Sequence, residues 1–146
     1  MAVLTIITPI KKIYPKNIAL VKIGEFYHVY GKDAYILSYL FGYKLKIIEK
    51  NCSSCGFPKS SLNKVIATLE NKRINYILLD RRNNYDVDQI SDNNNLNTYE
   101  EQLEKAKKYV NIKRRIDLIN QKLIDNMQKE AIITQIEQIE KILQIQ

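Results

Sequence analysis

A single histidine, two cysteines, four glycines and no tryptophan in 146 residues set narrow limits on the chemistry available to this chain. Cys52-Ser-Ser-Cys55 has C-x-x-C spacing, but a tetrahedral zinc needs four ligands and only His28 remains to supply a third nitrogen or sulfur donor. The segment therefore reads as an ordinary loop, with a zinc shared between two copies as the alternative. Nucleophilic catalysis by a cysteine with His28 would need a base and an orienting group close in space, and the sequence signals neither. Glycine is equally scarce where phosphate chemistry would need it. Gly31-Lys32 lacks both the upstream glycine and the following Ser or Thr of a phosphate-cradling loop. The expectation is a protein that is not an enzyme, with no catalytic residues, no metal and no cofactor.

Long hydrophobic runs are missing too. The opening "MAVLTII" has no basic residue before it and falls far short of the ~20 apolar residues a bilayer requires. A cytoplasmic protein without membrane contact is expected, with both cysteines reduced.

What is present is positive charge, unevenly placed. The net charge is +7. Residues 1–98 hold 14 Lys/Arg against 8 Asp/Glu, and residues 99–146 hold 9 against 8. A basic N-terminal part suits a polyanionic partner such as nucleic acid, although AT-rich coding, which also favours Ile, Asn and Tyr, produces lysine with no partner at all.

The apolar pattern predicts a mixed α/β domain over residues 1–90. Ala2 to Ile7, stopped by Thr8-Pro9, and the β-branched run Ile18 to Ile23 read as strands. Phe26 to Tyr30 follows as the second strand of a hairpin turning at Gly24-Glu25, with Phe26, His28 and Tyr30 on one face and Tyr27 and Val29 on the other. Asp33 is placed to cap a helix ending near Phe41, with Gly42 after it. Tyr43 to Ile48 alternates like a half-buried strand, residues 49–59 are polar, and Leu62, Val65, Ile66 and Leu69 have helical spacing. Tyr76 to Leu79 is a closing apolar strand.

An Asn-rich linker is expected over residues 91–98, and Thr98-Tyr-Glu-Glu101 has capping-box spacing at the start of a helical segment that runs to residue 146. Ile112, Ile116, Ile119 and Leu123 step by 4, 3 and 4, and Ile132, Ile136, Ile139 and Leu143 do so in a shifted phase. The slip near Asn126 to Ala131 fits one long helix or a helical hairpin. Either presents an apolar stripe for self-association or a partner protein, unless the stripe folds back on the domain.

Two readings of Phe26 stand at this point. It belongs to a buried strand face, which the pattern favours, or it is an exposed ring that stacks on a base. A resemblance bears on the choice. Thr8-Pro9, Tyr14-Pro15, Gly24-x-Phe26-Tyr27, Asp33-Ala34, Gly56-x-Pro58 and a helix-then-strand ending occur in one order over about residues 7–88. This series resembles the N-terminal mismatch-recognition domain of MutS proteins.

In that family the phenylalanine of a G-[DE]-F-Y-E segment wedges into the duplex and stacks on a mispaired base, and the glutamate two residues on hydrogen-bonds to it. The resemblance places Phe26 at the wedge and His28 where the glutamate would stand. A neutral imidazole donates or accepts a hydrogen bond, and a charged one is drawn to phosphate. Lys22, Lys44, Lys46, Lys59, Lys64, Arg81 and Arg82 are the candidates for backbone contacts.

No connector, lever, clamp or ATPase segment is recognisable in the sequence, so the resemblance implies a free-standing first domain on its own helical tail. Small proteins of that architecture are accessory factors beside the reverse transcriptases of diversity-generating retroelements. The expected function is non-catalytic binding of DNA or structured RNA in support of a reverse transcriptase or repair complex. The rival is a coiled-coil adaptor whose MutS-like domain is only a scaffold.

Overall fold

The computed structural model describes residues 3–91 and 96–145. The chain divides into two compact units, Met1–Val110 and Asn111–Gln146. Strands β1 (Ile18–Ile23), β2 (Phe26–Tyr30), β3 (Lys46–Ile47), β4 (Ser53–Pro58), β5 (Tyr76–Asp80) and β6 (Asp86–Ile90) belong to the first unit. They form one sheet in the order β3-β4-β2-β1-β5-β6. β1 and β5 are parallel and the other pairs antiparallel, so the sheet is mixed, as the sequence predicts.

Helices cover the two faces unequally. On one face Ile18, Leu20, Tyr27, Val29, Phe57 and Tyr76 pack under α2 (Lys32–Phe41), α3 (Leu62–Asn71) and the first turns of α4 (Tyr99–Asp125). Tyr99, Leu103 and Ala106 of α4 are part of this core. On the other face Ala19, Val21, Ile77 and Leu79 are covered by Ile7, with Val3 and Ile10 beside it, all from α1 (Val3–Ile13).

That helix replaces the strand expected over Ala2 to Ile7, of which residues 1–2 lie outside the described residues. Pro9 reads in sequence as a stop, because it cannot donate a helical hydrogen bond and costs ~3 kcal/mol in a helix interior. Val3, Ile7, Ile10 and Tyr14 nevertheless step by 4, 3 and 4, and all four join one apolar cluster against the sheet. Tertiary burial of that stripe outweighs the missing bond.

Three further expectations change. Residues 53–58 are a strand between β3 and β2 rather than loop, because Ser53 to Phe57 pair along β2 and bury Cys55 and Phe57. The strand expected over Tyr43 to Ile48 shrinks to Lys46–Ile47 because Tyr43 and Leu45 turn into the core instead of pairing. Asp33 caps no helix: Gly31 holds the N-cap position of α2, and Asp33 is buried at 2% exposure. Gly42, with φ of 75°, closes α2 in the left-handed conformation that glycine adopts most cheaply.

At the start of α4 the capping box does not form. Thr98 donates its hydroxyl to the Lys72 carbonyl, and Asn97 Oδ1 accepts from the Tyr99 and Asn75 amides instead. Of the linker expected over residues 91–98, positions 92–95 lie outside the described residues.

In the second unit, the end of α4 and α5 (Glu130–Leu143) are separated by residues 126–129, at the phase slip visible in the sequence. Ile112, Ile116, Ile119, Ile136, Ile139 and Leu143 are exposed, and Leu123 and Ile132 are partly buried. No helix among the described residues is long and apolar enough to cross a membrane.

Candidate nucleic-acid interface

The β1–β2 hairpin turns in two residues, since Ile23 pairs with Phe26. Gly24 takes φ of +63° while Glu25 keeps a negative φ, the pattern of a II′ loop with glycine first. This turn sets Phe26 at the tip, beside Ile23 of β1 and opposite Pro58 of β4. Alternation then sends Tyr27 and Val29 into the larger core and leaves Phe26 51% exposed, so its ring is not core packing.

The tip is held in place. The Lys59 amide donates to the Glu25 carbonyl at 2.9 Å, and the Lys59 ammonium meets the Glu25 carboxylate at 2.8 Å. That ammonium holds the carboxyl below its ordinary range, helped by Lys22 and Arg82. Three cations therefore gather where β1, β2, β4 and β5 all end. Lys22 lies in register with Asp80 on the opposite face from Phe26, and Arg82 approaches Asp80 at 3.8 Å in the turn that also carries Arg81.

His28 is two residues along the same face, in register with Gly56. A Cβ on Gly56 would stand 3.0 Å from the Tyr27 carbonyl, a tight contact, and 3.6 Å from His28 Nδ1, an ordinary one. The imidazole lies parallel to the Tyr30 ring, 6.5 Å between centroids and 15° between planes. Burial, with the Lys46 charge as a second cause, lowers its pKa below the ordinary 6.5. The ring is thus neutral at neutral pH and acts as a hydrogen-bonding or stacking group rather than a phosphate-binding cation.

Because the chain has one histidine, an NMR pH titration reports His28 alone. The midpoint is expected below 6.5, moving part of the way up in Lys46→Ala because burial is the larger cause. The unfolded chain takes up this proton first, so stability falls as pH drops through about 6.5.

The structure thus brings Phe26, Lys22, Lys59, Arg81 and Arg82 to one end of the sheet, with His28 and Lys46 further along. Lys44 is exposed in the segment before β3. Lys64 belongs to the helical layer over the opposite face, where its ammonium lies 6.0 Å from the Phe41 ring centroid. Tyr30, which the period-2 pattern puts on this face but which is not among the candidate contacts named from sequence, joins the row.

The two cysteines diverge. Cys55 is core at 4% exposure, its thiol donates to the Ala34 carbonyl at 3.7 Å, and burial pushes its pKa up to about 12. A thiol so shifted is no nucleophile. Cys52 is partly exposed outside the strand, and no group of three or more His, Cys, Asp or Glu among the described residues could hold a metal.

The first unit is an α/β domain with a mixed sheet, helices on both faces and an exposed aromatic ring at a basic hairpin tip. The chain matches the MutS domain I family over residues 5–116 and belongs to that family. The match runs past residue 88, where the recognisable motif series stops, into α4, whose Tyr99, Leu103 and Ala106 complete the core. No curated protein matches the chain.

Proposed function

We propose that this protein binds DNA or structured RNA without catalysing a reaction on it. The observation that carries the reading is Phe26: an exposed aromatic on a tip ringed by Lys22, Lys59 and Arg82, where the sequence resemblance would put a wedge. Lys46 extends the basic track beside His28. Buried Cys55 and neutral His28 on opposite faces of the sheet offer no nucleophile–base pair, which supports a non-catalytic role.

The exposed isoleucines of α4 and α5 support a second part of the proposal. They dock a further copy of the chain or a protein partner, a reverse transcriptase or repair protein, that the domain serves as an accessory. An adaptor with no nucleic-acid role is the reading these stripes favour if the tip binds nothing.

Fluorescence anisotropy with duplex, mismatched and hairpin nucleic acids tests the proposal. Four phosphate contacts, from Lys22, Lys46, Lys59 and Arg82, give a log–log salt slope of about −3.6 and roughly a 100-fold loss of affinity between ~50 and ~200 mM salt. Absence of binding at low salt, together with sedimentation showing self-association abolished by Ile116→Asp, leaves the adaptor reading instead.

A further inference from the structure

α1 covers only part of its face of the sheet. It closes over β1 and β5, where Ala19, Val21, Ile77 and Leu79 are buried and Tyr30 of β2 packs beside them, and leaves the Phe26 end of β2 and β4 open. There Phe26, Gly56 and Pro58 are exposed and His28 is half-buried. This face carries an aromatic at each of three successive in-face positions of β2: Phe26, exposed at the tip, then half-buried His28, then Tyr30, which is partly buried against the α1-covered cluster.

We propose that this strip is a stacking platform for unpaired bases, so that single-stranded nucleic acid is preferred over fully paired duplex. The proposal rests on the nucleic-acid reading above and names the ligand form for the same surface.

Three features carry it. First, a wedge that probes a duplex needs one ring, whereas His28 and Tyr30 continue the row with parallel planes. In a paired duplex the faces of successive bases are covered by their neighbours, and only an unpaired strand can offer several π-faces to a row of rings. Second, the strip stays low enough for bases to lie on it. Gly56 faces His28 with no side chain, and a Cβ there would touch the imidazole and press on the Tyr27 carbonyl.

Third, the charge around the strip suits a strand backbone. Lys46 lies beside His28, and Lys59, Lys22 and Arg82 stand at the Phe26 end, where the Glu25 carboxylate is already paired with Lys59. A neutral ring at position 28 also puts no negative charge in the path of phosphates. An acidic side chain in its place would accept a hydrogen bond from one base but would interrupt the aromatic row. Stacking of this kind tolerates any base sequence, because every base has a π-face.

The test measures anisotropy of labelled oligo(dT) and oligo(U) of about 20 nucleotides, and of a fully paired duplex of the same length, at one low salt concentration. Either single strand is expected to bind at least about tenfold tighter than the duplex. His28→Ala and Tyr30→Leu should each weaken single-strand binding by about 5- to 150-fold, the range for losing one stacked base, while Tyr30→Phe retains it. Thermal unfolding of each variant checks folding. Tyr30 is partly buried, so if Tyr30→Leu fails to fold, the His28→Ala result decides. Duplex binding as tight as single strand, or His28→Ala without effect while Phe26→Ala weakens binding, overturns the platform and leaves the wedge intact. No binding to any of the three probes overturns the platform and the nucleic-acid reading together. A difference between oligo(dT) and oligo(U) separates DNA from RNA as the source of the strand, and either preference over duplex supports the platform.

Discussion

Asp33→Ala is expected to destabilise the first unit by about 3–5 kcal/mol, the cost of removing one partner from a buried charge cluster. Asp33 is the point where three elements meet. Its Oδ1 takes the Lys11 ammonium of α1 at 3.0 Å and the Tyr99 hydroxyl of α4, and its Oδ2 accepts the Ala19 amide of β1 at 3.0 Å. Lys11 also lies 5.2 Å from the Tyr99 ring centroid, so the same cation is shared between carboxylate and aromatic face.

Burial pushes the carboxyl above the usual carboxylate range, against the pull of Lys11, the Ala19 amide and the Tyr99 hydroxyl. Removing it strands a buried amide and a buried hydroxyl at once, and leaves the Lys11 ammonium with only the Asn17 and Pro15 carbonyls as acceptors. Against a total stability of about 5–15 kcal/mol, the loss is a large fraction. At about 4 °C per kcal/mol for a unit of this size, the melting temperature should fall by roughly 12–20 °C. Urea titration checks the free energy, with an unchanged slope showing that the native state is still compact. Tyr99→Phe removes one hydrogen bond to the charged group and should cost only about 1.5–3 kcal/mol.

Phe26→Ala should do the reverse, leaving the fold nearly untouched while removing binding. The ring is 51% exposed at a hairpin tip that Lys59 pins through both its amide and its ammonium, so little packing is lost. A base stacked on it contributes about 1–3 kcal/mol, which corresponds to about 5- to 150-fold in affinity. Anisotropy against mismatched and single-stranded probes measures the loss, and a melting curve superimposable on the parent shows that it is not an unfolding effect. Phe26→Trp, which keeps a stacking face, should restore affinity.

These two residues show how far a linear reading reaches. Phe26 is legible as part of a motif series and as one of an alternating set, and alternation says correctly that it opposes Tyr27 and Val29. Which of the two faces is covered is not written in the alternation. It depends on α2 and α3 coming to lie over Tyr27 and Val29, and on the α1-covered cluster reaching Tyr30 but not the Phe26 end of β2. Asp33 is harder still. An aspartate before an amphipathic run is the ordinary sign of an N-cap, and only Lys11, Ala19 and Tyr99, brought from 22, 14 and 66 residues away, turn it into a buried hub. Gly56 belongs to the motif series, yet its place opposite His28 follows from a strand register that the polar segment 49–59 does not advertise.

By itself the sequence determined the elements whose signal is local: the β-branched strand at 18–23 and the apolar strand at 76–79, the hairpin at Gly24-Glu25, α2 and α3, the place of the phase slip where α4 and α5 part, and the order of motifs that marks the MutS domain I family. Hydrogen-bonding geometry and side-chain periodicity act over a few residues, so a few residues suffice to read them. The tertiary structure alone decided that residues 3–13 are helix, that Ser53–Pro58 is an interior strand, that Asp33 is buried and that the Phe26–His28–Tyr30 face is partly open. Each of these depends on which distant surface a segment packs against, a choice made by burying apolar area across the whole fold.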